Sequence, residues 1–361
     1  MRITMDISSI VYNRGVSFYT TNLVRNIKKV LSDSDTLSLF GASFGNYHTL
    51  KMFSREIGTA SKLYPVPPSL ASFAFHSVGL PIDTLINNSD IFHTWEWYLP
   101  TSRTSKVVIT MHDVALFKFP KLSHPAIEKQ HREVMERIRK FKPTIIAVSE
   151  STKNDLIDVC DLPPDSIHVV HEAIPLEHQI EIHDLELNSV KEKYSLKRPF
   201  MLMVGTAEPR KNFIRQIEAW QQYKNDFDLV IVGAAGWEYL PTDTHIIRIS
   251  DASAFELAAL YKGASLLLYC SLYEGFGLPI LEAFYHALPV VTANTSAMSE
   301  IGSTAVVKSD PHDVQSIKEG IQAALDNSSI LFENGKRRLH EFSWQKAAKE
   351  TYAVYEKAMQ A

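Results

Sequence analysis

The chain reads as two α/β domains, each built on a parallel sheet. Three observations predict this. Short apolar runs alternate with amphipathic helical runs along all 361 residues. A chain of this length favours two domains over one. A polar, proline-bounded stretch from Pro175 to Pro199 interrupts the alternation near its middle. In the first half, strands are expected at Arg2–Ile7, Thr36–Phe40, Ile91–His93, Val107–His112, Thr144–Val148 and Ile167–His171. In the second half they are expected at Phe200–Val204, Leu229–Val232, His245–Ile249, Ser265–Tyr269, Val290–Thr292 and Ala305–Val307. Helices fill the gaps: Val16–Leu31, Pro125–Phe141, Glu150–Asp158, Asn212–Lys224, Ala254–Lys262, Pro279–His286, Pro311–Asp326 and Ser343–Met359. Ser149 and Ser343 stand where helix N-caps belong. The last helix carries Trp344, Ala348, Tyr352, Tyr355 and Met359 at helical spacing, so that face is expected to be buried. The boundaries are then an N-terminal domain at 1–175, a linker at 176–198 and a C-terminal domain at 199–342, with 343–361 as a final helix.

Composition excludes several classes. The chain is 45% hydrophobic and 22% charged, an ordinary globular balance, and its net charge of −4 implies no nucleic-acid partner. The two cysteines, Cys160 and Cys270, sit in apolar segments without metal-ligand spacing and read as reduced core residues of a cytoplasmic protein. The opening residues MRITMDISSI read as a strand rather than a signal peptide, and no apolar run is long enough to span a membrane.

The most informative segment is Glu274-Gly-Phe-Gly-Leu-Pro-Ile-Leu-Glu282. An apolar run precedes it and a helical run follows, with Pro279 in the first helical turn. Gly275 and Gly277 let the backbone turn its amides outward, and the helix N-terminus adds partial positive charge. Gly275, Phe276, Gly277 and Leu278 therefore form a cradle for a polar or anionic ligand. Because the first half of the segment is loop, Glu274 can fold back towards Glu282 and both carboxylates can face one ligand.

A second segment, Met203-Val-Gly-Thr-Ala-Glu-Pro-Arg-Lys-Asn212, ends a strand at Gly205 and begins a helix near Asn212. Arg210 and Lys211 thus lie beside a helix N-terminus, a combination that suits a diphosphate. In the first half, Gly15 lies in the turn Asn13-Arg-Gly-Val-Ser-Phe-Tyr19 and can bring amides close to a phosphate. His112 ends the strand that reads Thr110-Met-His112-Asp113. Asp33-Ser-Asp35 has the spacing of a metal-binding acidic pair, but reads as a solvated turn, so no metal site is assigned.

These segments resemble the retaining glycosyltransferases of family 4. The resemblance rests on the Glu-x7-Glu stretch and the Pro-Arg-Lys-Asn stretch. Val232-Gly-Ala-Ala-Gly-Trp237, Leu257–Ala264 and Pro289–Ser296 extend it over most of the chain. It implies the GT-B architecture, two Rossmann-like domains facing across a cleft, with the final helix crossing back onto the N-terminal domain. It implies that Glu282 holds the ribose of a nucleotide sugar, that Glu274 and the loop amides orient the sugar, and that Arg210 and Lys211 hold the diphosphate without a metal. It implies that Gly15 lines the cleft and that His112 contacts the donor sugar. The N-terminal Ser8–Val16 region resembles bacterial surface-polysaccharide mannosyltransferases, which implies GDP-mannose as donor and an O-antigen-like glycan, lipid-diphosphate-linked, as acceptor.

Three readings compete: a glycoside hydrolase using Glu274 and Glu282 as its carboxylate pair, a non-catalytic nucleotide-sugar-binding subunit, and a nucleotide-sugar epimerase of the same architecture. Neither the hydrolase chemistry nor a bare glutamate pair accounts for Arg210 and Lys211. Residues 118–142 carry eight Lys/Arg and three Glu. That segment is a solvated helix face or, on the sharper reading, a peripheral contact with the inner face of a membrane.

Overall fold

The computed structural model describes residues 1–12, 15–76, 78–96, 99–120 and 125–360. Those residues divide into two compact units, Met1–Glu172 with Ser343–Ala361, and Ala173–Phe342. The chain therefore passes from one unit to the other twice.

The first unit holds a seven-stranded sheet: β1 (Arg2–Asp6), β2 (Thr36–Ala42), β3 (Ala60–Tyr64), β4 (Ile91–Trp95), β5 (Lys106–Met111), β6 (Thr144–Ala147) and β7 (Ile167–Val169). Their order is β3-β2-β1-β4-β5-β6-β7. The second unit holds β8 (Phe200–Val204), β9 (Asp228–Val232), β10 (Ile246–Ile249), β11 (Leu266–Tyr269), β12 (Val290–Ala293) and β13 (Val307–Ser309). Their order is β10-β9-β8-β11-β12-β13. All the strand pairs are parallel. Parallel strands are covered on both faces, so their central residues are uniformly apolar. Every residue of β4, β9, β11 and β12 is buried.

In each sheet the strand order reverses once, between β1 and β4 and between β8 and β11. A doubly wound sheet opens a crevice at that switch point, beyond the carboxyl ends of its strands. The segments after β8 and β11 are the two that stood out in the sequence.

Four expectations need correction. The edge strand β3 and the helices Tyr47–Ile57, Asp184–Lys193 and Ser328–Leu339 are additions to the expected elements: Tyr47–Ile57 buries Leu50, Phe53, Ser54 and Ile57, whereas Asp184–Lys193 is polar and buries only Val190. Residues 176–198 are not a bare connection, because they belong to the second unit and contain the helix Asp184–Lys193. The final helix, Trp344–Gln360, buries Trp344, Ala347, Ala348, Thr351, Val354, Tyr355 and Ala358. Trp344, Ala348 and Tyr355 lie on the buried face as expected, but Met359 is exposed and Tyr352 only half-buried, their places being taken by Thr351 and Ala358. Asp35 is not solvated either. Its carboxylate takes the N-terminal amine of Met1, the Ser32 hydroxyl at 2.7 Å and the Tyr352 hydroxyl at 2.8 Å. Burial opposes its ionisation, yet these hydrogen bonds outweigh it and hold the carboxyl below its ordinary range.

The final helix is integral to the first unit. It packs on helix Gly15–Val30, and Ser343 caps it by accepting from the Lys346 amide at 3.1 Å. The Tyr355 hydroxyl lies 2.6 Å from His93 Nδ1, and His93 Nε2 lies 2.8 Å from Thr110 Oγ1, all three side chains buried. Burial lowers the His93 pKa to about 3, so this ring is a neutral core histidine.

Candidate functional site

In the second unit, β8 ends at Val204 and the chain turns through Gly205, with φ +144°. The neighbouring turn after β9 lies against it. A Cβ on Gly233 would sit 2.1 Å from the Gly205 carbonyl oxygen, and one on Gly236 would sit 1.9 Å from that of Ala207. Only glycine permits two backbones to touch this closely. The loop ends in a short helical turn, Pro209–Lys211, and Asn212 adopts φ +58° before helix Phe213–Trp220. Asn212 is buried and donates through Nδ2 to the carbonyls of Cys270 and Pro311, at 3.0 and 2.7 Å. Gln216 accepts from the Cys270 amide at 2.9 Å and donates to the Lys211 carbonyl at 2.7 Å. The loops after β8 and β11 are thereby tied into one rigid body.

That frame brings Arg210, Lys211 and Glu274 together. Lys211 Nζ donates to Glu274 Oε1 at 2.7 Å, and Arg210 Nη1 donates to Oε2 at 2.8 Å. Arg210 also donates to the Tyr273 carbonyl at 2.7 Å and, through Nη2, to Glu208 Oε1 at 2.6 Å. Lys211 lies over the Tyr269 ring, 5.5 Å from its centroid. Glu274 is only 7% exposed. Burial alone would raise its pKa, but Lys211 and Arg210 overcome that and pull it down to about 2. The cluster combines two cations with the buried carboxylate of Glu274 from one loop and the partly buried Glu208 of the other. Glu208 escaped notice in the sequence, although it stands two residues before Arg210.

Gly277 takes φ +106° and opens helix Leu278–Tyr285, with Pro279 in its first turn. Gly275 and Phe276 are buried and Leu278 is half-buried. The Phe276 ring packs edge-on against Phe342 at 6.1 Å, so its side chain belongs to the core. Glu282 is 6% exposed, and both its oxygens are engaged. Its Oε1 lies 2.6 Å from His178 Nδ1, and Oε2 accepts from the Tyr261 hydroxyl at 2.7 Å. The two glutamates therefore have separate partners, Glu274 the cations and Glu282 a histidine and a tyrosine. The His178 pKa is raised: burial opposes the charged ring, but Glu282 outweighs it.

In the first unit, His112 follows β5, and Glu96 follows β4 at the switch point. The His112 amide donates to Glu96 Oε2 at 2.9 Å, and its Nδ1 lies 2.9 Å from Glu172 Oε1. Gly15 opens helix Gly15–Val30, is exposed and has no atom close to where a Cβ would stand. Its neighbours 13 and 14 lie outside the described residues. Much of the basic segment is committed internally. Lys118 pairs with Asp155 at 2.6 Å, Arg132 with Glu128 at 2.7 Å, and Arg137 and Arg139 donate to the carbonyls of Leu99 and Cys160. Lys121 lies outside the described residues. Among the described residues no group of three or more His, Cys, Asp or Glu could hold a metal ion, and no helix is long and apolar enough to cross a membrane.

Comparison with known proteins places these features in a wider set. A family model described as Glycosyltransferase Family 4 matches residues 15–178, and one described as Glycosyl transferases group 1 matches residues 186–342. O-antigen chain mannosyltransferase B of Escherichia coli is 30% identical over 288 residues, covering 73% of this chain and 74% of that protein. Serotype-specific mannosyltransferase WbdA of Escherichia coli is 27% identical over 238 residues, covering 59% of this chain but 29% of the much longer relative. Among solved structures, a glycosyltransferase from Rickettsia africae ESF-5 superposes with a TM-score of 0.72 at 17% identity, over 99% of this chain and 98% of that one. Anabaena HepE in complex with UDP-glucose superposes with a TM-score of 0.67 at 14% identity over the full length of both.

Proposed function

Because the chain belongs to glycosyltransferase family 4, with the paired Rossmann-like units of the GT-B fold, we propose that it moves a hexose from a nucleotide diphosphate sugar to a glycan hydroxyl with retention of configuration. One observation carries this reading: the buried Glu274 carboxylate held between Arg210 and Lys211 at the carboxyl ends of β8 and β11. Arg210 and Lys211 stabilise the leaving diphosphate as charge builds on it. Glu274 and the amides of Gly275, Phe276 and Gly277 orient the sugar, Leu278 flanks that loop, and Gly205 lets the backbone turn beside the phosphates. Glu282 takes the ribose, and His112 meets the hexose. Gly15 gives the first unit's loop its approach to the donor.

In the transfer itself, the bond from the anomeric carbon to the phosphate oxygen breaks. The bond to the acceptor oxygen forms on the same face, and the acceptor proton passes to the leaving phosphate. No side chain serves as covalent nucleophile. The cations at the diphosphate make a metal unnecessary. The names of two relatives, both mannosyltransferases and one of the O-antigen chain, support mannose as the hexose and an O-antigen-like glycan as acceptor; GDP-mannose as donor and a lipid-linked form of that glycan complete the proposal. Residues 118–142 would meet the membrane that carries such an acceptor. A thermal-shift screen against GDP-, UDP- and dTDP-hexoses tests the donor. The true donor at 100 times its Kd adds about 2.7 kcal/mol of stability. A melting temperature unmoved by any of them would refute the donor site.

A further inference from the structure

The first unit holds a second buried polar cluster with one unused atom. His112 Nδ1 is held by Glu172 at 2.9 Å, and its backbone amide by Glu96 at 2.9 Å. The Tyr19 ring packs edge-on against the imidazole, 4.7 Å between centroids. Glu172 is 4% exposed and Glu96 8%. Among the described residues, the buried Nε2 of His112 has no hydrogen-bond partner. Leaving a buried polar atom unmatched is costly, so folded proteins rarely keep one without use. Here three neighbours fix the ring while its remaining nitrogen stays unmatched.

We propose that Glu172 is a positioning residue: it accepts a hydrogen bond from the Nδ1–H of His112 and leaves Nε2 as the ring atom that meets a hydroxyl of the transferred hexose. This rests on the reading that His112 faces the donor sugar. Glu96 fixes the backbone and Tyr19 the ring plane, which leaves the choice of tautomer to Glu172. With the proton on Nδ1, a neutral ring offers the Nε2 lone pair to a hydroxyl proton, and an imidazolium donates to the hydroxyl oxygen. The groups that face the ring are Glu172, Glu96, Asp113, His93 and Tyr19. Burial disfavours the charged ring, but the Glu172 contact outweighs it and raises the His112 pKa.

Nitrogen-15 histidine spectra of the full chain read the tautomer without any substrate. The wild-type ring should carry its neutral-form proton on Nδ1. Glu172→Ala should release that preference. Glu172→Gln, whose amide oxygen still accepts, should keep it while the pKa of the ring falls. Kinetics with singly deoxygenated donors provide the second reading. The wild type should lose about tenfold in kcat/KM on one of them, the worth of a single hydrogen bond. Glu172→Ala should abolish that difference, and Glu172→Gln should retain most of it. A Glu172→Ala protein that keeps the wild-type tautomer, or the full deoxy penalty, overturns the proposal. Failure of the wild type to transfer any hexose is a distinct result: it overturns the transferase reading, and the tautomer then decides the place of Glu172.

Discussion

Replacing Glu274 by glutamine removes one negative charge from between Arg210 and Lys211 and changes little else in volume. A carboxyl held at about 2 by its two cations, instead of near its ordinary 4.3, favours the folded state by about 3 kcal/mol. The direction follows from the depressed pKa. That contribution is complete above the unfolded value and disappears as pH falls through the folded one, so the window runs from about 5 to about 2. For a unit of this size, 3 kcal/mol corresponds to about 6–12 °C in melting temperature. Glu274→Gln should therefore melt about 6–12 °C below the wild type at pH 7. The gap should close as pH falls through the window, because the wild-type carboxyl takes up a proton there and the variant has none to take. Differential scanning calorimetry of both proteins across that range measures it. A gap that is absent at pH 7, or that stays constant down to pH 2, would refute the idea that the two cations hold this charge.

Four further outcomes are expected. Glu282→Ala should weaken nucleotide-sugar binding at least tenfold in calorimetric titration while Glu274→Ala mainly lowers turnover, and wild-type kinetics in both would remove the donor-site assignment. Activity should survive EDTA; a requirement for Mn²⁺ or Mg²⁺ that is restored on adding it back would contradict the role given to Arg210 and Lys211. Tyr355→Phe takes the hydroxyl from His93, a buried partner 2.6 Å away, and should cost about 1–3 kcal/mol in denaturant unfolding. Loss of residues 343–361 should be worse, because the final helix belongs to the core of the first unit. A truncated protein that melts like the full chain would argue against that place for it.

Most of the sheet was legible because buried parallel strands are continuous apolar runs, as Phe200–Val204 and Leu266–Tyr269 are. Strand β3, reading Ala-Ser-Lys-Leu-Tyr, was not, because it lies at a sheet edge and is only partly covered. In the final helix, counting large apolar residues found Trp344, Ala348 and Tyr355 on the buried face but wrongly added Tyr352 and Met359. The helix packs through Ala347, Ala348, Thr351 and Ala358, and Tyr352 is turned aside to reach Asp35. The loops around Arg210, Lys211 and Glu274 announced themselves by glycine, proline and charge within short segments. The partners that define how the other groups are held did not. His178 is 104 residues from Glu282, and Glu172 is 60 residues from His112. No local pattern encodes such pairs, and only the return of the chain to the same strand ends brings them together.

The central claim is retaining hexose transfer from a nucleotide diphosphate sugar, and proton NMR of the anomeric signals during turnover tests it most directly. With GDP-mannose and a mannose-terminated glycan, the account predicts that the donor's α-anomeric signal gives way to a new α-linked product signal, with release of GDP. A β-linked product would contradict retention. Free mannose as the only product, or sugar released from the glycan without any nucleotide, would contradict transfer itself.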